Sequence, residues 1–88
     1  GEEFVALFAG ADAASALGAA ERLRVAVADS TYQIGNDPLK TTVSIGVASF
    51  SEQDHEFADI LRRADRALYA AKAAGRNCVR DEPAQTGE

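Results

Sequence analysis

Hydrophobic and polar positions change period several times along this chain, and each change marks an element. Phe4 to Ala9 is a short apolar run closed by Gly10, the pattern of a strand buried on both faces. Asp12 stands where a helix N-cap belongs. Ala13, Ala16, Leu17, Ala20, Leu23 and Val27 then recur at helical spacing, with Glu21, Arg22 and Arg24 off the stripe. Thr31 to Lys40 holds the turn formers Gly35-Asn36-Asp37-Pro38 and predicts a hairpin or an ordered loop. Thr41 to Phe50 is the clearest strand: Val43, Ile45 and Val47 alternate with Thr42, Ser44, Gly46 and Ala48, giving a branched face and a face of small side chains. Something must pack closely on the small face, a helix or a ligand, and the helix is the commoner answer.

After the polar loop Ser51 to Asp54, a second helix is predicted from about His55 to Ala74. Phe57, Ile60, Leu61, Ala64, Leu68 and Ala71 form its buried stripe, and Gly75 is its stop. Asn77 to Arg80 reads as a short last strand, and Asp81 to Glu88 as a disordered tail. The order strand, helix, optional hairpin, strand, helix, strand predicts an α/β fold, a sheet with helices packed on it.

Composition narrows the class without changing that picture. The chain is 47% hydrophobic and 26% charged over 88 residues, which fits a single small globular domain. It has no apolar run near the roughly 18 residues of a membrane span. It contains no methionine and opens on Gly1, so it is expected to continue a longer chain. The net charge of -5 argues against general nucleic-acid binding. The cations are nevertheless concentrated: Arg62, Arg63, Arg66, Lys72, Arg76 and Arg80 face only Asp65 within 62–80. One cysteine, Cys78, and one histidine, His55, exclude an internal disulfide and a zinc site, and a lone thiol suits a reducing cytosol.

The candidate chemistry lies in two places. Glu2 and Glu3 are adjacent carboxylates at the mouth of a strand, where alternation sends them to opposite sides; an ordinary solvated turn would look the same. Lys72 and Arg76, four apart near a helix end, should share one face. Cations there also suit the helix dipole, which alone would explain either of them. Arg62, Arg63 and Arg66 read as a solvated helix face, with Asp65 in local ion pairs. His55 reads as a surface residue, Cys78 as a small buried one, and Tyr69 as a hydrogen-bonding residue within the fold.

Three segments in order, Gly1-Glu2-Glu3-Phe4, Thr42 to Ala48 (Thr-Val-Ser-Ile-Gly-Val-Ala) and Ala64 to Asn77 (Ala-Asp-Arg-Ala-Leu-Tyr-Ala-Ala-Lys-Ala-Ala-Gly-Arg-Asn), resemble the GGDEF domain of diguanylate cyclases. The likeness is to its C-terminal half, in the variant whose signature reads Gly-Gly-Glu-Glu-Phe, and it covers 1–80. The first glycine of that signature is absent. The resemblance implies a nucleotide-cyclase, ferredoxin-like fold. It implies that Glu2 binds Mg²⁺ or Mn²⁺ and is a candidate for activating the attacking hydroxyl. Gly1 lets backbone approach the substrate's phosphates, and Lys72 and Arg76 hold the triphosphate. Glu3 takes a supporting role, with metal binding open to it. Arg22 falls where some relatives contact the cyclic dinucleotide product of a neighbouring molecule.

It further implies that two GTP, one on each domain of a homodimer, become cyclic di-GMP and two pyrophosphates. The location is cytoplasmic, and any membrane attachment would come through an upstream region. In this family a central strand carrying a metal-binding aspartate, the guanine-contacting helices and any Arg-x-x-Asp inhibitory motif precede the signature, so these residues alone are expected to be inactive. Two other readings stay open. One is a non-catalytic module that binds GTP or cyclic di-GMP. The other is a half-sheet whose edges, unpaired at the gap left by the absent strand, assemble with another chain.

Overall fold

The computed structural model describes residues 1–9, 12–50, 52 and 54–81. The elements follow as β1 (Glu2–Phe8), α1 (Ala13–Asp29), β2 (Tyr32–Ile34), β3 (Asp37–Leu39), β4 (Val43–Ser49), α2 (Phe57–Ala73) and β5 (Val79–Asp81). The expected order is therefore present, with the optional hairpin formed. Asp81 belongs to β5 rather than to a tail, and the tail expected over 82–88 lies outside the described residues. No helix among the described residues is long and apolar enough to cross a membrane.

β4 is the centre of a three-stranded sheet ordered β1-β4-β5. Both neighbours run parallel to it, β1 in register from Glu2 opposite Val43 to Phe8 opposite Ser49. Strands of this kind are covered on both faces, and β4 is buried from Val43 to Ala48. Val43, Ile45 and Val47 pack with Ala16 and Ala20 of α1, with Ala6 and Phe8 of β1 joining them. On the opposite face Ala48 packs with Ile60 and Ala64 of α2, joined by Val5 and Leu7. The result is helix, sheet, helix in three layers.

Two expectations about β1 are corrected. The gap expected from an absent central strand does not separate β1 from β4, which pair directly along their length, and among the described residues the unpaired edge on that side of the sheet is the outer side of β1. The position buried on both faces belongs to β4, whereas β1 is an edge strand and Phe4 is 51% exposed.

The small face of β4 does receive a helix. A Cβ built on Gly46 would stand 2.3 Å from both the carbonyl oxygen of Ala64 and the amide nitrogen of Leu68. The backbones of α2 and β4 thus touch where a side chain would separate them. This approach sets which stripe of α2 faces inward: Ile60, Arg63, Ala64, Ala67 and Ala71 are buried, while Phe57 is 63% exposed. Phe57 opens the helix at the edge of the contact and does not join the stripe expected for it. Tyr69, expected to bond within the fold, is also exposed.

Arg63, expected on the solvated face, is on the buried one. Its Nη2 donates to the carbonyl oxygen of Ser49 at 2.8 Å and to Asp54 Oδ2, and its Nε donates to Asp54 Oδ1 at 3.3 Å. The two side chains are 9% and 4% exposed, a burial that charged groups tolerate only when paired and hydrogen-bonded. The pair ties the end of β4 to α2 across the loop between them.

Helix starts follow their caps. Asp12 accepts from the Ser15 N–H at 2.7 Å, and that hydrogen bond holds its carboxyl below the usual range. Asp12→Ala should lower unfolding free energy by about 1 kcal/mol, read as an earlier midpoint in urea with an unchanged slope. In α2, Asp59 Oδ2 accepts from the N–H groups of His55 and Glu56 at 2.8 and 3.0 Å, which lowers its pKa. These two residues are held outside the helix, so α2 begins at Phe57 and not at His55. The β2–β3 hairpin turns at Gly35, whose φ of 63° suits a residue without a Cβ. Tyr32 and Leu39 pair across it and both are exposed.

Candidate active site

The candidate residues gather at the head of β1, the start of β4 and the end of α2. Glu2 opens β1, and its N–H donates to the carbonyl oxygen of Thr42 at 2.9 Å. Alternation along the strand places Glu3 with Val5 and Leu7 on the α2 face, and Glu2 with Ala6 and Phe8 on the α1 face. Both carboxylates are exposed. The side chain of Glu2 makes no ion pair among the described residues. Glu3 pairs with Lys72, whose Nζ lies 3.5 Å from its Oε2. The structure therefore joins Lys72 to the second acid of the pair, and Glu2 stands apart from both on the other face.

Lys72 sits in the last turn of α2, where its charge also meets the negative end of the helix dipole. Arg76 is not on that helix. The N–H of Gly75 donates to the carbonyl oxygen of Lys72 at 3.2 Å and that of Arg76 to Ala71 at 3.0 Å, the paired bonds of a Schellman stop. Gly75, Arg76 and Asn77 take φ of 112°, 65° and 49°. The shared helical face expected for Lys72 and Arg76 is thus lost, because the left-handed backbone after Ala74 redirects the chain. Cys78, expected to be buried, is half-buried beside this turn, its thiol 3.4 Å from the carbonyl oxygen of Ala71.

Two contacts that the sequence reading missed hold this turn. The N–H of Asn77 donates to Ser44 Oγ at 3.1 Å, and Arg24 Nη1 donates to Asn77 Oδ1 at 2.9 Å. Ser44 is buried on the small face of β4. Arg24 reaches in from α1, where it also grips Glu21 and holds that carboxyl below its usual range. A buried serine in an alternating strand is a signal that it has a polar partner. Nothing local in the sequence identifies Asn77 as that partner.

Gly1 is placed by the same closeness as Gly46, in milder form. A Cβ there would stand 3.0 Å from both the carbonyl oxygen and Oγ1 of Thr42. Gly1 also lines an open cavity of 440 Å³ with Ala28, Lys40, Thr41, Thr42 and Asn77. Lys40 brings a cation to this cavity that the motif comparison did not single out. Arg22 is exposed on α1, and the structure brings it to none of the other candidates.

For a divalent cation, Glu2 offers the right donor chemistry, a hard oxygen with no competing ion pair among the described residues. The number of donors is short: among the described residues no cluster of three acidic, histidine or cysteine side chains could hold a metal ion. Among the described residues the arrangement sets an exposed carboxylate and cations about the head of β1, and it does not by itself enclose a metal.

A family model described as "Diguanylate cyclase, GGDEF domain" matches residues 1–78. The chain is 41% identical over 81 residues to the response regulator PleD of Caulobacter vibrioides, across 90% of this chain and 18% of that protein. Over 79 residues it is 37% identical to diguanylate cyclase A of Treponema denticola, across 90% and 21% respectively. Over 77 residues it is 39% identical to diguanylate cyclase DgcP of Pseudomonas aeruginosa, across 88% and 11%. The chain thus spans between 11% and 21% of the length of these curated relatives.

Proposed function

This chain belongs to the GGDEF family of diguanylate cyclases, and on that premise we propose that the protein containing it condenses two GTP into cyclic di-GMP and two pyrophosphates. In each half-reaction the 3′-oxygen of one GTP bonds to the α-phosphorus of the other. The bond from that phosphorus to the pyrophosphate oxygen breaks, and the hydroxyl proton passes to a base. Two domains, each holding one GTP, make the two bonds, so a homodimer is the working unit and 1–80 is the C-terminal half of each domain.

The observation that carries this reading is the head of β1. Glu2 presents an exposed carboxylate with no ion-pair partner among the described residues, and Lys72 arrives at the same strand end from α2, on the face of Glu3. Phosphoryl transfer asks chiefly for in-line positioning and charge neutralisation. Glu2 supplies an oxygen for a metal or for the hydroxyl proton, and Lys72 and Arg76 supply charge for the phosphate chain. A bound Mg²⁺ or Mn²⁺ would supply further neutralisation of those phosphates.

Incubated with GTP and Mg²⁺ or Mn²⁺, a protein carrying the complete domain should release cyclic di-GMP and pyrophosphate, and a chelator should stop it. Chromatography that finds GDP and phosphate, or unconsumed GTP, overturns the assignment. The 88 residues taken alone should release neither product, and turnover by them would overturn the proposal that the rest of the site lies elsewhere.

A further inference from the structure

We propose that Glu3 is a positioning residue for Lys72 and not a metal ligand: its carboxylate holds the ammonium where the phosphate chain is to be gripped. The proposal rests on the cyclase reading above and adds a division of labour between the two adjacent acids.

Three observations lead to it. Glu3 lies on the α2 face of β1 with Val5 and Leu7, whereas Glu2 lies on the other face, so a single ion cannot take both carboxylates as equivalent ligands without rebuilding the strand. Lys72 Nζ stands 3.5 Å from Glu3 Oε2, which commits the charge of Glu3 to a partner on its own face. The two side chains are 35% and 40% exposed, so an incoming anion can still reach the ammonium.

Packing brings the partners together without help from the pair. The backbone contact of α2 with Gly46 fixes where the helix crosses β4, and β1 is fixed on β4 by its parallel register. The head of the strand and the end of the helix therefore meet for reasons independent of their charges.

An ammonium on a four-carbon stem loses much rotational freedom when it grips a ligand. A carboxylate that has already confined it removes part of that cost before binding. An ion pair this exposed adds little to folding, so its effect belongs to ligand affinity.

The test uses a protein carrying the complete domain and a non-hydrolysable GTP analogue titrated by calorimetry in Mg²⁺. Glu3→Gln should weaken the analogue by about three- to tenfold, the lower part of the range of coupling expected for two side chains in contact, as suits an exposed pair, with the thermal midpoint unchanged. Lys72→Met should weaken it at least as much, and Glu3→Gln added to Lys72→Met should then cost nothing further. Glu3→Asp, which keeps the charge, should recover most of the affinity.

Equal losses from Glu3→Gln in both backgrounds overturn the proposal, as does a shift in the Mg²⁺ concentration required. Tighter binding by Glu3→Gln also overturns it. Wild-type protein that neither binds the analogue nor consumes GTP overturns the cyclase reading and this inference together. Additive losses in a protein that does make cyclic di-GMP overturn only the inference.

Discussion

Glu2→Gln should slow cyclic di-GMP formation by about a hundredfold or more, the scale on which a positioned proton acceptor contributes, while the domain keeps its thermal midpoint. The amide is nearly isosteric with the carboxylate but carries no charge and accepts no proton at neutral pH. It is also a poorer oxygen donor to a hard cation. Little in the fold depends on the side chain, because it is exposed and among the described residues makes no ion pair. The backbone bond from Glu2 to Thr42, at 2.9 Å, is available to either residue. Initial rates of pyrophosphate release, alongside circular dichroism on heating, separate the two effects. Turnover near the wild-type rate would remove Glu2 from the chemistry, and a collapsed melt would mean that its role is structural.

Gly46→Ala should destabilise the fold by about 3 kcal/mol, the upper end of what inserting one group into a packed core usually costs. The added carbon would sit 2.3 Å from main-chain atoms of Ala64 and Leu68. A side chain at such a place could swing aside, but a helix backbone must move bodily and takes Ile60, Ala64 and Ala67 with it. Whole domains of this size hold only about 0.05–0.15 kcal/mol per residue, so the loss is a large share of the total. Chemical denaturation should show the midpoint falling steeply. A midpoint within experimental error of wild type would mean that α2 does not rest on β4 as closely as described. Because the same contact sets the height of Lys72, the variant should also lose nucleotide affinity under conditions where it stays folded.

The parts of the fold that the sequence made legible are those governed by near neighbours. Val43, Ile45 and Val47 alternating with Ser44, Gly46 and Ala48 foretold both the central strand and a close partner on its small face. Asp12 marked the start of α1, and Gly75 the end of α2. The misreadings share a different cause. Arg63 looked solvated because its partners, Asp54 and the carbonyl of Ser49, come from a loop and a strand end that no helical periodicity reveals. Phe57 looked buried because a stripe counted along the helix says nothing of where the sheet stops.

The candidate residues were legible as a resemblance, and their arrangement was not. Gly1, Glu2, Glu3, Lys72 and Arg76 could be picked out by their resemblance to a known signature. That Lys72 would meet Glu3, and that Arg76 would leave the helix, depends on how β1 and α2 are stacked on β4 and on the left-handed backbone after Ala74. Those are properties of the assembled layers.

The turn bearing Arg76 has one mechanical consequence. Asn77 is tied by its amide to Ser44 in the sheet and by its side-chain oxygen to Arg24 on α1, while the N–H of Arg76 is tied to Ala71 of α2. Three layers thus converge on two consecutive residues, which act as a keystone. A slide of either helix against the sheet cannot leave this turn at rest, and the guanidinium that rides on it is displaced whenever the layers are.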